Sequence, residues 1–307
     1  MHLAEGMLPM EQAALFSAAA IPALAWSVRG EQVARSREGS SPVLMAGVTS
    51  LLFAATLLPL PVPIAGATSH VCLTPVLALV VGVRRVLWPT FFVLLLQAVF
   101  FAHGGLTTLG VNTLTLGLAG PVVTVGLWSL MRRLGATHAL GLGLACGLGS
   151  LSVYVADALV LALALSDLAE PLATFTGVLL GFSPVQIPLA VLEGFASVGI
   201  VQALASRRPS LLPEPLRLLR KSPAPISSVG LLLIVATLSG CDYEGIDGSV
   251  FGAAAEHAGR VPTDSLLDLS QGELGLAMTI IILFGLGFIS GRSWERLGRE
   301  DSDALPR

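Results

Sequence analysis

The sequence predicts an all-α fold, a polytopic bundle of transmembrane helices. Of the 307 residues, 54% are hydrophobic and only 12% are charged, whereas soluble domains carry about 25% charged residues. The mean hydropathy is +0.82. Apolar runs of about 20 residues, each long enough to cross a hydrocarbon core of roughly 30 Å, recur along the chain.

About nine of these runs are predicted spans. They share an apolar, nearly uncharged composition and lie near residues 11–28, 43–60, 70–83, 86–102, 112–131, 138–166, 172–206, 226–240 and 274–291. The third is short for a full crossing, and Pro184 and Pro188 predict kinks in the seventh. Interrupted helices survive in lipid only where protein or a water-filled cavity covers their free backbone groups.

The basic residues predict the orientation, because loops rich in arginine and lysine stay on the cytoplasmic side. Every second loop is basic, and these residues fall on one side: Arg29, Arg35, Arg37, Arg84, Arg85, Arg132, Arg133, Arg207, Arg208, Arg217, Arg220, Lys221, Arg292, Arg296 and Arg299. Arg260 is the exception within the body of the chain. The N-terminus is therefore predicted outside and the C-terminus inside, with the turns at 61–70 and 103–111 on the external face.

A basic, proline-rich linker divides the chain. We place a membrane domain at 1–208, the cytoplasmic linker at 209–225, which cannot continue a helix, and a two-span hairpin at 226–307. The external loop of the hairpin is acidic. Such a loop could concentrate cations, or it could simply be a solvated loop.

The start of the chain, Met1-His2, can chelate a metal. The terminal amine, the backbone nitrogen of His2 and its imidazole Nδ1 close two fused rings around one cation and supply three nitrogens in a plane. A fourth nitrogen would complete a square-planar set, which suits Ni(II) or Cu(II) and can accept low-spin Co(II). His70, on the same predicted face, is the candidate. The alternative is that a histidine follows the initiator methionine by accident.

A glycine- and threonine-rich stretch, 102–112, follows the fourth predicted span. It suits a tight re-entrant turn, although a plain helix connector is the alternative. His103 within it could be a metal ligand, an interface histidine or, the role we favour, a partner that orients His2 or His70.

Two ionisable residues, Asp157 and Glu193, lie inside predicted spans. Buried charges in a membrane are functional hypotheses by default. The alternative for each is a packing role, with the protonated carboxyl hydrogen-bonded to a neighbouring helix.

Motifs for ATP hydrolysis and for common hydrolytic chemistry are missing from the sequence, which has no Walker A, HExxH or GxSxG pattern. The chain is therefore not expected to be an enzyme. Any ATP-driven function must take its energy from a partner.

Four segments together resemble one family, the CbiM/NikM substrate-binding S components of energy-coupling factor transporters for cobalt and nickel. They are Met1-His2-Leu3-Ala4-Glu5-Gly6-Met7-Leu8-Pro9, Gly66-Ala67-Thr68-Ser69-His70, Ala102-His103-Gly104-Gly105-Leu106-Thr107-Thr108-Leu109-Gly110 through Asn112, and Pro188-Leu189-Ala190-Val191-Leu192-Glu193-Gly194. The resemblance covers residues 1 to about 208. The C-terminal hairpin resembles the small N component fused to such proteins, although the PDGLE signature is absent and the chain reads Gly245-Ile246-Asp247-Gly248-Ser249-Val250.

The resemblance implies a ligand set and a network around it. The Met1 amine, the backbone and imidazole nitrogens of His2 and the imidazole of His70 would hold the metal. A group of neighbours would surround the tucked-in N-terminus, namely Glu5, His103 and Asn112.

The resemblance also implies how the protein works. It would capture Ni(II) or Co(II) as cargo at the external face of a bacterial or archaeal inner membrane, with no organic cofactor and no nucleic acid. Its partners would be a transmembrane coupling (T) protein and two ATP-binding cassette subunits. Two other classes stay open: a membrane-embedded metalloenzyme with Glu193 as base, and a proton-coupled carrier that uses Asp157 and Glu193.

Overall fold

A computed structural model describes most of the membrane domain and part of the C-terminal region. The described residues are 2–38, 42–57, 60–62, 67–165, 171–221, 244–245, 248–261 and 263, with isolated positions between 277 and 296. Met1, the metal-binding amine of the prediction, lies outside them.

The described chain is mostly helical, which confirms the predicted class at that level. Its α-helices are α1 (Met10–Glu38), α2 (Pro42–Leu57), α3 (Thr74–Val81), α4 (Val83–Phe100), α5 (Leu109–Leu114), α6 (Gly120–Arg133), α7 (His138–Leu165), α8 (Pro171–Arg207), α9 (Glu214–Arg217) and α10 (Ala253–His257). Short 3-10 turns at Pro209–Leu211 and Leu218–Lys221 flank α9, and π-helical turns at Thr115–Ala119 and Gly248–Gly252 lead into α6 and α10.

Three short strands correct the all-α prediction locally. Strand β1 (Leu60–Val62) pairs antiparallel with β2 (Ala67–Ser69), and β3 (Glu244–Gly245) pairs in parallel with β2. Pro61 within β1 lacks the backbone N–H that a helix interior uses, which disfavours a helical conformation at this point. Segments of two or three residues are too short to leave an alternating pattern in the sequence.

Five described helical stretches are long and apolar enough to cross a membrane. They are Met10–Ser36, Val83–Phe100, Leu109–Arg133, His138–Leu165 and Pro171–Arg207. Together with the shorter apolar helix α2, they coincide with the first, second, fourth, fifth, sixth and seventh predicted spans. Large apolar side chains on the outer face of α7, such as Leu140, Leu144 and Leu148, are exposed, as expected for a surface that meets lipid.

The prediction of nine spans is not supported. Within the third predicted span, 70–83, helix α3 has only eight residues and ends before Gly82, and α4 begins at Val83. At about 1.5 Å per residue α3 is roughly 12 Å long, too short to cross the hydrocarbon core. The eighth predicted span, 226–240, lies outside the described residues, and 274–291 is described only at isolated positions. The orientation of the termini depended on that count and stays a prediction.

Helices α7 and α8 pack closely against each other and contribute to two buried apolar clusters. A Cβ atom at Gly194 would lie 2.6 Å from the carbonyl oxygen of Gly143, and one at Gly147 would lie 2.8 Å from that of Ala190. Only glycine permits this approach of two backbones, which is a common basis of helix packing in membranes. The pair therefore forms a firm base for the side chains that it carries.

Candidate metal site

The N-terminal segment is inserted into the protein: His2 and Leu3 are buried. The carboxylate of Glu5 accepts hydrogen bonds from the backbone N–H of Leu106 (2.7 Å to Oε2) and of Thr107, and from the Thr107 hydroxyl. A Cβ at Gly105 would lie 2.7 Å from the Glu5 nitrogen, so a glycine is required there. Glu5 thus attaches the segment to the loop that carries His103.

Asn112 holds the peptide group that follows His2. Its Oδ1 accepts the Leu3 N–H at 2.9 Å, and its Nδ2 donates to the Leu3 carbonyl at 3.0 Å. The Thr108 hydroxyl donates to the same carbonyl. The side chain of Asn112 therefore replaces the strand partner that this extended segment would otherwise need.

The connection between α4 and α5, residues 101–108, consists of turns and irregular structure, and the choice between a re-entrant turn and a plain helix connector stays a prediction. Gly104 has φ +85°, a conformation that favours glycine. Ala102 also has a positive φ, 46°. The turn is closed by a hydrogen bond from the His103 N–H to the Gln97 carbonyl at 3.1 Å, and it places His103 beside His2.

Three histidines converge at this point. His2 Nδ1 lies 3.2 Å from His70 Nε2, and the ring of His103 lies 4.5 Å from that of His2 and 5.4 Å from that of His70, measured between centroids. One ring nitrogen from each lies within 4.8 Å of the others. Among the histidine, cysteine and acidic side chains of the described residues, these three histidines have the spacing of a metal site.

The nitrogens that approach each other are suited to bind one cation. His70 Nδ1 lies 3.4 Å from the Val71 carbonyl, and donation by an Nδ1–H there leaves the lone pair on Nε2, which faces His2. With metal–nitrogen bonds of about 2.0 Å, adjacent corners of a square lie roughly 2.8 Å apart. A separation of 3.2 Å therefore needs only a small adjustment, and the His2 atom involved is Nδ1, the one that the N-terminal chelate requires.

Burial keeps the histidines neutral. It lowers the pKa of His2 and of His70 well below the ordinary value of 6.5, and the neighbouring rings oppose protonation further. Burial lowers the pKa of His103 to about 4. The Nε2 atoms of His2 and His103 have no hydrogen-bond partner among the described residues, which is unusual for buried nitrogens. Neutral imidazoles in a buried cluster suit a divalent transition metal.

The two intramembrane carboxyls do not join the histidine cluster. Glu193 binds the backbone after His70: its Oε2 accepts the Cys72 N–H at 3.0 Å and its Oε1 the Leu73 N–H at 2.7 Å. Asp157 on α7 is fully buried, and its oxygens make no hydrogen bond of standard geometry among the described residues, although the Thr115 hydroxyl is close.

Sequence reasoning missed three polar residues near His70, namely Ser150, Tyr154 and Gln186. Gln186 Nε2 donates to the Ser69 hydroxyl at 2.9 Å, which lies 3.4 Å from the Tyr154 hydroxyl. The Ser150 hydroxyl donates to Glu193 at 2.7 Å. Their helical spacing within otherwise apolar runs could have identified them. Ser150 and Tyr154 are four residues apart on α7, and Gln186 lies seven residues before Glu193 on α8.

Arg260, the exception to the charge pattern, binds the N-terminal segment. It donates to the Gly6 carbonyl at 3.3 Å and to the Leu8 carbonyl at 2.9 Å, and the Thr263 N–H donates to the Glu5 carbonyl at 3.1 Å. The described part of the C-terminal region therefore packs directly on the segment that carries His2.

The apolar helices define a multi-pass membrane protein, and comparison with known proteins defines its class as a membrane component of metal uptake. The profile of the family described as "CbiM: Cobalt uptake substrate-specific transmembrane region" matches residues 2–211. The chain belongs to the CbiM family. The energy-coupling factor assembly and the resemblance of the hairpin to an N component stay predictions.

Two curated relatives carry the name "Cobalt transport protein CbiM". The protein from Geobacter sulfurreducens is 33% identical over 98% of this chain and 90% of the relative, and that from Sorangium cellulosum is 37% identical over 73% of this chain and 99% of the relative. A solved structure described as "Crystal Structure of an Truncated Transition metal Transporter" matches with a TM-score of 0.57 and 23% identity, over 67% of this chain and 99% of that chain. At that identity it shows the fold alone.

Proposed function

We propose that this chain is the substrate-specific component of an energy-coupling factor transporter, and that it captures Co(II) or Ni(II) at the external face of a bacterial or archaeal inner membrane. The observation that carries the proposal is the 3.2 Å approach of His2 Nδ1 to His70 Nε2 in a buried, neutral setting. His2 stands where a free amine and a backbone nitrogen can join its ring in one chelate. The four nitrogens would be those of the Met1 amine, the His2 amide and the two imidazoles.

Cobalt is the favoured cargo because the curated relatives are named as cobalt transport proteins. A square-planar set of four nitrogens also suits Ni(II), so both metals belong in every titration. The metal is a substrate that leaves the protein, and the uptake step would be driven by a T protein and two ATP-binding cassette subunits. Such partners fit a chain whose sequence contains no Walker A motif.

The contacts of Glu193 argue against the metalloenzyme alternative. A general base must reach the proton that it abstracts, whereas both oxygens of Glu193 accept backbone hydrogen bonds from Cys72 and Leu73. The proton-coupled carrier would have to use Asp157. Metal uptake into vesicles that contain this chain alone, driven by a pH gradient, would support the carrier and contradict our proposal.

The test is metal binding by a chain that begins at Met1, compared with a version that carries one extra residue before Met1. Both are titrated with Co(II) and Ni(II). The extension removes the amine from chelating distance, so we expect tight binding to be lost. As a matched control, His257→Ala removes an exposed histidine outside the cluster and should leave the dissociation constants unchanged. Equal affinity of the extended and native chains would place the metal elsewhere and overturn the proposal.

A further inference from the structure

His70 lies in a connection that has no regular secondary structure. Residues 70–73 join strand β2 to helix α3, and Leu73, just before α3, has a positive φ of 56°. His70, Cys72 and Leu73 are buried. Inside a membrane protein the backbone groups of such a connection must find partners within the protein. Its N–H groups at Cys72 and Leu73 find their partner on α8, whereas its carbonyls at Cys72 and Leu73 accept from N–H groups of α3.

Two pairs of side chains bind this connection, one pair before His70 and one pair after it. Before it, Gln186 and Tyr154 hold the Ser69 hydroxyl, and after it, Glu193 with Ser150 holds the backbone. We call these four residues the α7–α8 clamp: Ser150, Tyr154, Gln186 and Glu193. All four are buried, with at most 3% of each residue exposed.

The four clamp residues lie at helical spacings on α7 and α8. Ser150 and Tyr154 are one turn apart on α7, and Gln186 and Glu193 are two turns apart on α8, so each pair lies on one helix face. The contact of Gly147 with Ala190 lies three residues before Ser150 and Glu193. The clamp therefore projects from the closely packed part of the helix pair, where the backbones have little room to move.

Glu193 is the central member. Its carboxyl accepts the N–H groups of Cys72 and Leu73 and the hydroxyl of Ser150. These donors engage both oxygens of the carboxyl. The peptide between Val71 and Cys72 also carries the carbonyl that lies 3.4 Å from His70 Nδ1, so its position bears on where His70 Nε2 points.

We infer that Glu193, supported by Ser150, is a positioning residue for metal binding: it fixes the backbone after His70 and so aims the His70 imidazole at His2. This inference rests on the proposed function. It concerns an indirect role, because the carboxyl binds the backbone N–H groups of Cys72 and Leu73, which follow the ligand His70, and not the metal. Residues that orient a metal-binding histidine typically change metal affinity by about 10–100-fold when they are replaced.

The experiment compares Glu193→Gln and Ser150→Ala with two matched controls in the full, detergent-solubilised chain. Glu31→Gln makes the same change at a buried glutamate on α1, whose partners are Arg35 and Arg85. Ser197→Ala makes the same change at another buried serine, on α8. For each variant, the dissociation constants for Co(II) and Ni(II), the visible spectrum of the bound metal and the unfolding temperature of the metal-free protein are measured.

We expect Glu193→Gln to weaken binding by roughly 10–100-fold and to change the visible spectrum, because the amide NH₂ cannot accept the backbone N–H that it would face. Ser150→Ala should act in the same direction with a smaller effect. The controls should keep the native affinity and spectrum, even where Glu31→Gln lowers the unfolding temperature. Glu193→Asp retains a carboxylate and should recover part of the affinity that Gln loses.

A purely structural role predicts a different result: a lower unfolding temperature with native affinity and native spectrum in the folded protein, which would overturn the inference. If Glu193→Gln does not fold, Ser150→Ala decides, and native affinity and spectrum in that variant would overturn it equally. His70→Ala separates the two proposals. If the native chain binds metal, His70→Ala does not and Glu193→Gln still binds normally, only this inference fails. If the native chain binds neither metal, the proposed function fails as well.

Discussion

Buried glutamates in two regions of the bundle have different partners. Glu5 and Glu193, near the histidine cluster, accept hydrogen bonds from backbone N–H groups and hydroxyls. Glu31, toward the other end of α1 from His2, accepts from the guanidinium groups of Arg35 at 2.8 Å and Arg85 at 2.7 Å.

The two kinds of partner differ in their effect on the negative charge of the glutamate. Uncharged donors satisfy a carboxylate without cancelling its negative charge, whereas a guanidinium cancels it and would repel an approaching cation. Arg260 donates to the carbonyl oxygens of Gly6 and Leu8, so its hydrogen bonds do not cancel the charge of Glu5 or Glu193, although it keeps its own positive charge. We expect the histidine region, whose carboxylates keep their charge, to accept a positive ion, whereas the Glu31 region contributes to stability alone.

The largest expected effect is that of His70→Ala. The substitution removes one of the two ring nitrogens that approach each other, so metal affinity should fall by more than about 100-fold, the upper end for residues that only support a ligand. Calorimetric titration with Co(II) and Ni(II) measures it. Native affinity in the variant would mean that the two regions do not differ in the way proposed here. His257→Ala, which removes an exposed histidine, serves as the control.

The next effect is that of Asn112→Leu. The change leaves the buried Leu3 N–H without its acceptor, which costs about 1–3 kcal/mol, and frees the peptide that follows His2. We expect metal affinity to fall by roughly 10–100-fold together with the unfolding temperature. A variant that is less stable yet binds metal as the native chain does would limit Asn112 to a structural role.

Acidic pH should affect the metal-free histidine region through His103. Its pKa of about 4 in the folded chain lies below the unfolded value of about 6.5. Between these values the unfolded state takes up a proton that the folded state does not. The free energy of unfolding therefore decreases as the pH is lowered, by up to roughly 1.4 kcal/mol per pH unit for this ring. The full stability contribution of the neutral ring is present only above about pH 6.5.

The variant His103→Gln, which does not titrate, isolates this contribution from that of the carboxyls. Its unfolding temperature should fall less than that of the native chain as the pH is lowered from 7 to 4.5. Parallel curves for the two proteins would show that His103 titrates normally. For metal binding, the lowered pKa of His2 and His70 moves proton competition at the imidazoles to more acidic pH than free histidine would show.

Much of the helical arrangement was predictable because a membrane span is a long apolar run, which survives single polar residues. The pairing of His2 with His70 followed from the chemistry of an N-terminal chelate and from a shared face. The interruption before α3 and its partner Glu193 could not be predicted, because they depend on contacts between residues 120 and 121 positions apart in sequence. The position of Arg260 outside the basic loops also depends on residues distant in sequence, because its partners are carbonyl groups near the N-terminus.

The smallest expected effect is that of Arg35→Ala in the Glu31 region. Arg35 is half exposed, with 52% of its side chain accessible, and it pairs with Glu31 one helical turn away. Such pairs contribute about 0.3–0.5 kcal/mol, and Arg85 remains to hold Glu31. We expect a slightly lower unfolding temperature at low salt and a difference that vanishes at high salt, as screening predicts. Metal affinity should not change at either salt concentration. A change in affinity would mean that the charge pairs of this region act on the distant histidines, and the separation between a region for binding and a region for stability would no longer hold.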